Sequence, residues 1–458
     1  MYFFSEGFME LSENYTPNKI RELFGIEIAS GSDTLSLFGG IKPFIQYLEK
    51  AKIRERLEKN FGPFKARTVC QLIISLLLGC EDFEEAERLG QDPIVKKYLK
   101  NPVTATQLAR DFKSFSPSEI QGLHEFVMNL SVCELVDFVG NNDAIELEVD
   151  QTAVEKFGKL QEGVAKGYIE QDKIEYCYQY LFFRLANLNT FLYGTIRDGS
   201  CHSQHDFCGY LRQFLPLFKE HPRRVNLKAD SGYFSEEAFD VCLENGIFFY
   251  VKAPMTPSRK NLAKSPYLTW KPDPKLPGVE HAVYETVTKN NSVWYEVFKR
   301  TEKRESEATL FESHIEYDYQ CIATNDKEIT DRPWDLWPYY NQRANIENNI
   351  RELKNDYNLG SIITGTFSAN DAITQTTIMT YILVQHFKRM FLDESHQKNQ
   401  LSTLRWRVFN MIGRKRRGGR SEWTKIFSIF LSPEQILRIL IRVKEKTSLL
   451  IQPPPILC

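Results

Sequence analysis

The chain has almost no excess of charge. Its 458 residues carry 58 lysines and arginines against 60 acids, a net charge of −2. A nucleic-acid partner is therefore not announced by the total, and any basic surface has to be local. Long apolar runs are missing too. The most apolar stretches, 72–78, 378–384 and 426–431, are far shorter than a membrane span. The first residues, MYFFSEGFMELSENY, lack a basic leader region and carry acids, so no secretory signal is expected. Nine cysteines, an odd number, follow no framework spacing, which fits free thiols in a reducing cytoplasm. No internal repeat, low-complexity tract or coiled-coil seam is visible. The rest, 42% hydrophobic and 26% charged, is ordinary globular composition, and the length allows two or three domains.

From the start to about residue 135 the patterning is helical. Residues 41–61 and 66–78 carry apolar residues at helical spacing, and Gly79 is a plausible stop. Ser116, with Pro117 and Glu119 after it, reads as a helix start. At about residue 144 the texture changes to strands. ELEVD (146–150) alternates, 176–185 and 190–197 are rich in aromatic and branched residues, and RVNLKA (224–229) alternates again. With helices at 204–218 and from Ser235 to Gly246, and a strand at 247–252, the order is β-β-β-α-β-α-β, a mixed sheet flanked by helices. Residues 255–316 read as a β-rich insertion, with a hairpin turning at 289–292 and an edge strand at 309–314. The sheet resumes at 319–324. Residues 369–392 and 433–443 are apolar helices.

Two acids end strands. Asp150 closes ELEVD and is followed by Gln151 and Thr152; Asp230 closes RVNLKA and is followed by Ser231, Gly232 and Tyr233. Open α/β sheets place their ligands at such strand ends, although Asp is also a common turn residue. Asp143, Glu146 and Glu148 are nearby alternatives for the first acid. A third acid, Glu347, lies in YYNQRANIENNIRELKNDYNL (339–359). On a helix at about 100° per residue, Ile346, Ile350, Leu353 and Tyr357 form an apolar stripe. Tyr340, Arg343, Glu347 and Lys354 fall within an arc of roughly 60° beside it. Three carboxylates from separate segments suit hard divalent cations such as Mg²⁺, which take oxygen ligands and serve in-line phosphoryl displacement. A local basic stretch completes the candidates. Lys398, Arg405, Arg407, Arg414, Lys415, Arg416, Arg417, Arg420 and Lys425 face one acid, Glu422, and GRKRRGGR (413–420) is either a solvated loop or a phosphate contact.

These residues resemble a DDE transposase of a bacterial insertion sequence. Tyr340, Arg343, Glu347 and Lys354 match the Y-R-E-K motif of the insertion-sequence-four superfamily, spacing included. LGCEDFEEAERLGQDP (78–93), DSGYF (230–234) and ENNIRELKNDYNL (347–359) are similar to its thirteen-eighty type. The resemblance covers about residues 30 to 425. It implies an α/β fold: an RNase H-like mixed sheet with flanking helices, interrupted by the β-rich insertion and preceded by an all-α N-terminal domain. The expected boundaries are a DNA-binding helical domain at 1–140, a catalytic domain at 141–254 and 317–395 split by the insertion 255–316, and a basic helical region at 396–458. It further implies that Asp150, Asp230 and Glu347 hold two Mg²⁺ ions (or Mn²⁺) and catalyse, and that Tyr340, Arg343 and Lys354 hold DNA phosphates. Arg414, Arg416 and Arg417 are added as DNA contacts from the basic stretch.

The activity implied is binding of terminal inverted repeats, cleavage, and transfer of 3′-hydroxyl ends into target DNA by a homodimer, in a bacterial cytoplasm at the nucleoid and with no membrane partner. The alternatives are a DNA-binding regulatory descendant and an RNase H-like Mg²⁺ nuclease without strand transfer. Some relatives pass through a DNA hairpin with an aromatic residue holding a flipped base, for which Trp294 is the candidate, although strand packing is the commoner role. Cys201, His202, His205 and Cys208 crowd into one segment, whereas zinc sites usually draw ligand pairs from separate segments, so no metal role is assigned to them.

Overall fold

Side chains punctuate the helices of the first third, at the expected Ser116 and at three further caps. The computed structural model describes residues 35–138, 144–170, 173–218, 224–287, 292–302, 316–418 and 421–446. After a two-residue strand β1 (Leu35–Ser36) come helices α1 (Lys42–Lys50), α2 (Ile53–Leu78), α3 (Phe83–Gly90), α4 (Pro93–Leu99), α5 (Ala105–Lys113) and α6 (Pro117–Phe138). Asp82, Asp92 and Thr104 cap α3, α4 and α5 by accepting from backbone N–H groups of the first turn. Ser116 and Glu119 cap α6 reciprocally: the Ser116 N–H donates to Glu119 Oε2 at 2.8 Å and the Glu119 N–H to Ser116 Oγ at 3.3 Å. Helix α2 is broken at Gly62, whose φ of 80° only glycine adopts without strain, and it ends on a left-handed Gly79.

The sheet follows the expected order and then continues past it. Strand β2 (Ala144–Glu155) pairs antiparallel with β4 (Lys173–Leu185), whose other edge takes β3 (Ala165–Glu170) and β5 (Thr190–Arg197). On its other side β2 runs parallel to β6 (Arg224–Ala229), and β6 parallel to β7 (Phe248–Ala253). Helices α7 (Phe207–Phe214) and α8 (Glu236–Glu244) make the crossovers. The expected insertion holds a short helix, α9 (Pro257–Lys264), a two-residue strand β8 (Lys271–Pro272), and the hairpin β9 (Val279–Val287) and β10 (Val293–Glu302). This hairpin does not stand apart. Strand β10 pairs along its length with β11 (Tyr317–Thr324), and β11 pairs antiparallel with β7. The strands therefore form one ten-stranded sheet. The expected turn at 289–292 and edge strand at 309–314 fall on residues outside those described, Ser292 excepted.

Each face of the sheet has its own core. Leu147, Val149, Leu181, Phe183 and Leu227 point to the side covered by α7 and α8. Tyr178, Tyr180 and Phe182 point to the other side, as alternation requires. There they join α11 (Ala344–Asp356) and the long helix α12 (Phe367–Phe391), while α10 (Leu336–Asn341) packs with Tyr250, Val297 and Ile322 in a smaller cluster. The N-terminal helices share this second core. Ile41, Phe44, Leu72, Ile73 and Leu123 belong to the same buried cluster as Ile346, Tyr381 and Phe387.

The end of the chain departs from the helical expectation. GRKRRGGR begins in strand β12 (Ile412–Gly418), which pairs with β13 (Ser421–Phe427) and with β1. The alternation that makes this a strand is masked by charge: Ile412, Arg414 and Arg416 face solvent, while Gly413 is buried. A Cβ on Gly413 would meet Gly39 Cα at 2.9 Å, so glycine is what lets β12 lie so close to the first residues of the fold. Helix α13 (Pro433–Glu445) closes the described chain.

Candidate active site

Strand register brings the two aspartates together. Leu147 pairs with Leu227 and Glu148 with Lys228 in parallel. Two residues further on, Asp150 continues β2 and Asp230 directly follows β6, so both stand just past the end of the parallel pairing. Asp230 accepts from the Gly232 N–H at 2.7 Å, which fixes its rotamer over a one-turn 3₁₀ segment, Ser231–Tyr233.

The other described acids of this strand face have partners of their own. Glu148 is buried and paired with Arg184 at 2.6 Å. Glu146 takes the buried Lys228 ammonium at 3.0 Å and the Tyr339 hydroxyl at 2.7 Å. Asp143 lies outside the described residues. Only Asp150 of the described acids on this strand face reaches the open end, and its partner is Arg343, at 3.1 Å.

Glu347 arrives from the far side on α11. The apolar stripe is as read: Ile346, Ile350, Leu353 and Tyr357 are all buried in the core shared with the sheet. The continuous helix expected over 339–359 is instead two helices, α10 and α11, with Gln342 and Arg343 in a turn between them. The turn carries Arg343 inward, where it stands between Asp150 and Glu347, 3.9 Å from the latter. Glu347 itself is 60% exposed. It lies on the solvent edge of the group, where a ligand has access.

Asp150 feels the charges of the other two acids. Burial pushes the Asp150 carboxyl up to about 6, and the charges of Asp230 and Glu347 add to that push against the pull of Arg343. Arg343 loses by burial but gains more from Asp150, Tyr340, Asp230 and Glu347, so its guanidinium is held firmly charged. Among the described residues no group of three acids, histidines or cysteines is gathered tightly enough to enclose a metal ion. The cation now against Asp150 is the guanidinium of Arg343.

The remaining motif residues are tied to the backbone of the same strands. The Tyr340 hydroxyl donates to the Ala229 carbonyl at 3.0 Å, one residue before Asp230, and burial raises the phenol to about 12. Lys354 donates to the Ala153 carbonyl at 2.8 Å, on β2 three residues past Asp150. Both side chains thus brace the strand ends that carry the acids. Trp294 is packed against Phe234 and Phe239 at 2% exposure and belongs to the core, not to an open pocket. Arg414 and Arg416 lie on the C-terminal hairpin, on elements separate from these strands; Arg417 is on the same strand, β12.

Two features had no clear signal in the sequence. The segment 201–205, weighed above for zinc, is a strap between the two aspartate strands. Arg197 holds Gln151 Oε1 at 2.9 Å and the His202 carbonyl at 2.9 Å, while Ser203 donates to the Gly232 carbonyl at 3.0 Å. Gln204 reaches the Phe234 carbonyl at 2.8 Å. The second is Tyr233, buried with its hydroxyl unpartnered, whose phenol is raised by burial and by the charges of Asp150 and Asp230.

The family model described as "Transposase DDE domain group 1" matches residues 51–446. No curated protein matches. A solved structure, the cryo-EM structure of piggyBac transposase synaptic complex with hairpin DNA, is similar at 10% identity and a TM-score of 0.41, over 81% of this chain and 80% of that one. With a family match running from the second helix to the last, this chain belongs to the DDE transposases and is an enzyme of DNA transposition, cutting DNA and transferring it.

Proposed function

We propose that this transposase is a Y-R-E-K enzyme of the insertion-sequence-four superfamily, thirteen-eighty type, with an RNase H-like catalytic sheet. It binds the terminal inverted repeats of its element as a homodimer and transfers the 3′-hydroxyl ends into target DNA, at the nucleoid of a bacterial cytoplasm. The observation that supports the reading is Arg343 standing between Asp150 and Glu347, with Asp230 just past the parallel pairing of β2 and β6. Three antiparallel strands (β5, β4, β2) followed by two parallel ones (β6, β7) support the RNase H-like assignment.

The donor set fits hard divalent cations: three carboxylates, oxygen ligands only, one of them exposed. Asp150, Asp230 and Glu347 would hold two Mg²⁺ ions, which when bound lower the pKa of an attacking water or hydroxyl and offset charge on the leaving oxygen. The protein's own part is positional. Tyr340 and Lys354 fix the strand ends, and Gly232 fixes the Asp230 rotamer. Arg343 has two fates. Its guanidinium balances Asp150 in the free protein, and its forked donors suit the scissile phosphate once cations take over the carboxylates.

The test is incubation with Mg²⁺, DNA carrying the element's own ends, and a supercoiled target plasmid. Joined products are expected. Glu347→Gln and Asp230→Asn should bind the ends but neither cut nor join, and a variant that still cuts would remove the assignment. Cleavage without joining would leave a nuclease.

A further inference from the structure

We infer that Lys252 is a further DNA-holding residue of the active site, outside the four-residue motif, whose ammonium takes a backbone phosphate next to the scissile one. This rests on the reading that the three carboxylates hold the cut phosphate. The motif's own donors are engaged inside the fold. The Tyr340 hydroxyl donates to the Ala229 carbonyl and the Lys354 ammonium to the Ala153 carbonyl, while the Arg343 guanidinium lies against Asp150. A polyanion approaching the site meets its first attraction at a cation on the rim that is exposed and not already neutralised.

Lys252 holds such a position. Ala229 pairs in parallel with Val251, and Asp230 and Lys252 are the next residues along the two chains. Tyr340 ties these strand ends together. Its hydroxyl bonds the Ala229 carbonyl, and the Lys252 N–H is near enough to lower the phenol against the larger, opposite effect of burial. The same phenol feels the charges of Arg343, Asp230 and Asp150. Tyr250, two residues earlier on β7, packs on Tyr339 with ring centroids 4.9 Å apart. Alternation therefore turns Lys252 to the face covered by α10, the helix that leads into Arg343. Tyr250 is buried and Lys252 exposed, so β7 leaves the cover of α10 between them. The register partner of Lys252 on β11 is the apolar Ile322. The next cation on this face is Lys299 of β10, 5.4 Å from the centre of the Trp337 ring. Burial lowers the Lys299 ammonium, Asp318 and Asp273 raise it, and the charge of Lys252 lowers it again. Acids thus attend Lys299, whereas among the described residues none lies within ion-pair distance of Lys252. A compact ammonium so placed suits a phosphate oxygen.

The experiment is a salt titration of binding between the full chain and a 20-base-pair end duplex, without divalent cation. Lys252→Gln should flatten the slope of log K against log salt by about 0.9, so that from about 50 to about 200 mM salt the parent loses about 3.5-fold more affinity than the variant. Lys252→Arg should keep the parent's slope. With Mg²⁺ at about 0.1 M salt, Lys252→Gln should raise the duplex concentration that half-saturates end-cleavage about eightfold and leave the rate at saturating duplex within about twofold. Lys264→Gln, on α9, is the control and should change neither. An unchanged slope for Lys252→Gln, or equal flattening by Lys264→Gln, overturns the inference while leaving the carboxylate chemistry standing. A lower rate at saturating duplex with unchanged half-saturation overturns it also. Absence of any duplex binding by the parent protein overturns both readings.

Discussion

Asp150→Asn should make the protein more stable while abolishing its chemistry. Asp150 titrates near 6 in the folded chain against an ordinary 3.8, because burial beside two other carboxylates disfavours its charge. The sign follows from proton binding. Between those two values the folded protein holds a proton that the unfolded chain has lost, so stability falls as pH rises from about 4 to about 6 and is not regained above. The loss is about 0.5 kcal/mol at pH 4, about 1.6 at pH 5 and about 3 at pH 7. Asparagine mimics the protonated carboxyl and still offers Arg343 an oxygen. The variant should therefore gain about 3 kcal/mol over the parent at pH 7, or roughly 3–6 °C in melting temperature, and gain almost nothing at pH 4. Denaturant titrations in chelator at the two pH values measure this. An advantage equal at both, or a variant less stable at pH 7, would refute the argument that burial, helped by the neighbouring acids, disfavours this charge. Adding Mg²⁺ should stabilise the parent and leave the variant unmoved.

Arg343→Gln removes the internal cation and should cost about 2–4 kcal/mol at pH 8. It should also enlarge the stabilisation produced by Mg²⁺, read as the difference in melting temperature with and without the metal; a smaller metal effect would contradict the exchange proposed for this arginine. Gly232→Ala would place a Cβ 2.6 Å from Ser203 Oγ and so disturb the Asp230 turn. End-cleavage should drop and recover in part when Ser203→Ala is added, and a double variant no better than the single one would count against the clash. Tyr340→Phe leaves the Ala229 carbonyl without its donor and should cost about 1–3 kcal/mol by denaturant titration, with duplex affinity unchanged. An affinity loss with unchanged stability would make Tyr340 a DNA contact instead of a brace.

How far the sequence could be read depended on what carried the signal. Alternation in ELEVD and RVNLKA marked both strands, because their odd members face a core while the even members are polar. The stripe Ile346, Ile350, Leu353 and Tyr357 likewise fixed which edge of α11 faces outward. Alternation could not say which of Glu146, Glu148 and Asp150 serves the site, since all three share one strand face. Their partners decide it, and Arg184, Lys228 and Tyr339 are remote in sequence. The turn at Gln342–Arg343 was invisible because no glycine or proline marks it. The hairpin at 412–427 was hidden because charged residues, Arg414 and Arg416 on one face and Lys415 on the other, erase the usual contrast of polar and apolar. The strap at 201–205 works through backbone carbonyls, which any sequence supplies.

The shared core of the helical third also sets a schedule for synthesis. The Tyr47 hydroxyl bonds to His386, 339 residues later, and Lys50 reaches the Val443 carbonyl, 393 residues later. At about 5–20 residues per second, the ribosome leaves the first helices exposed for roughly 20–70 s before their partners exist. A message broken late in the gene would release a chain whose apolar helices never find α12. Such fragments should aggregate and be degraded, not persist as stable competitors for the element's ends.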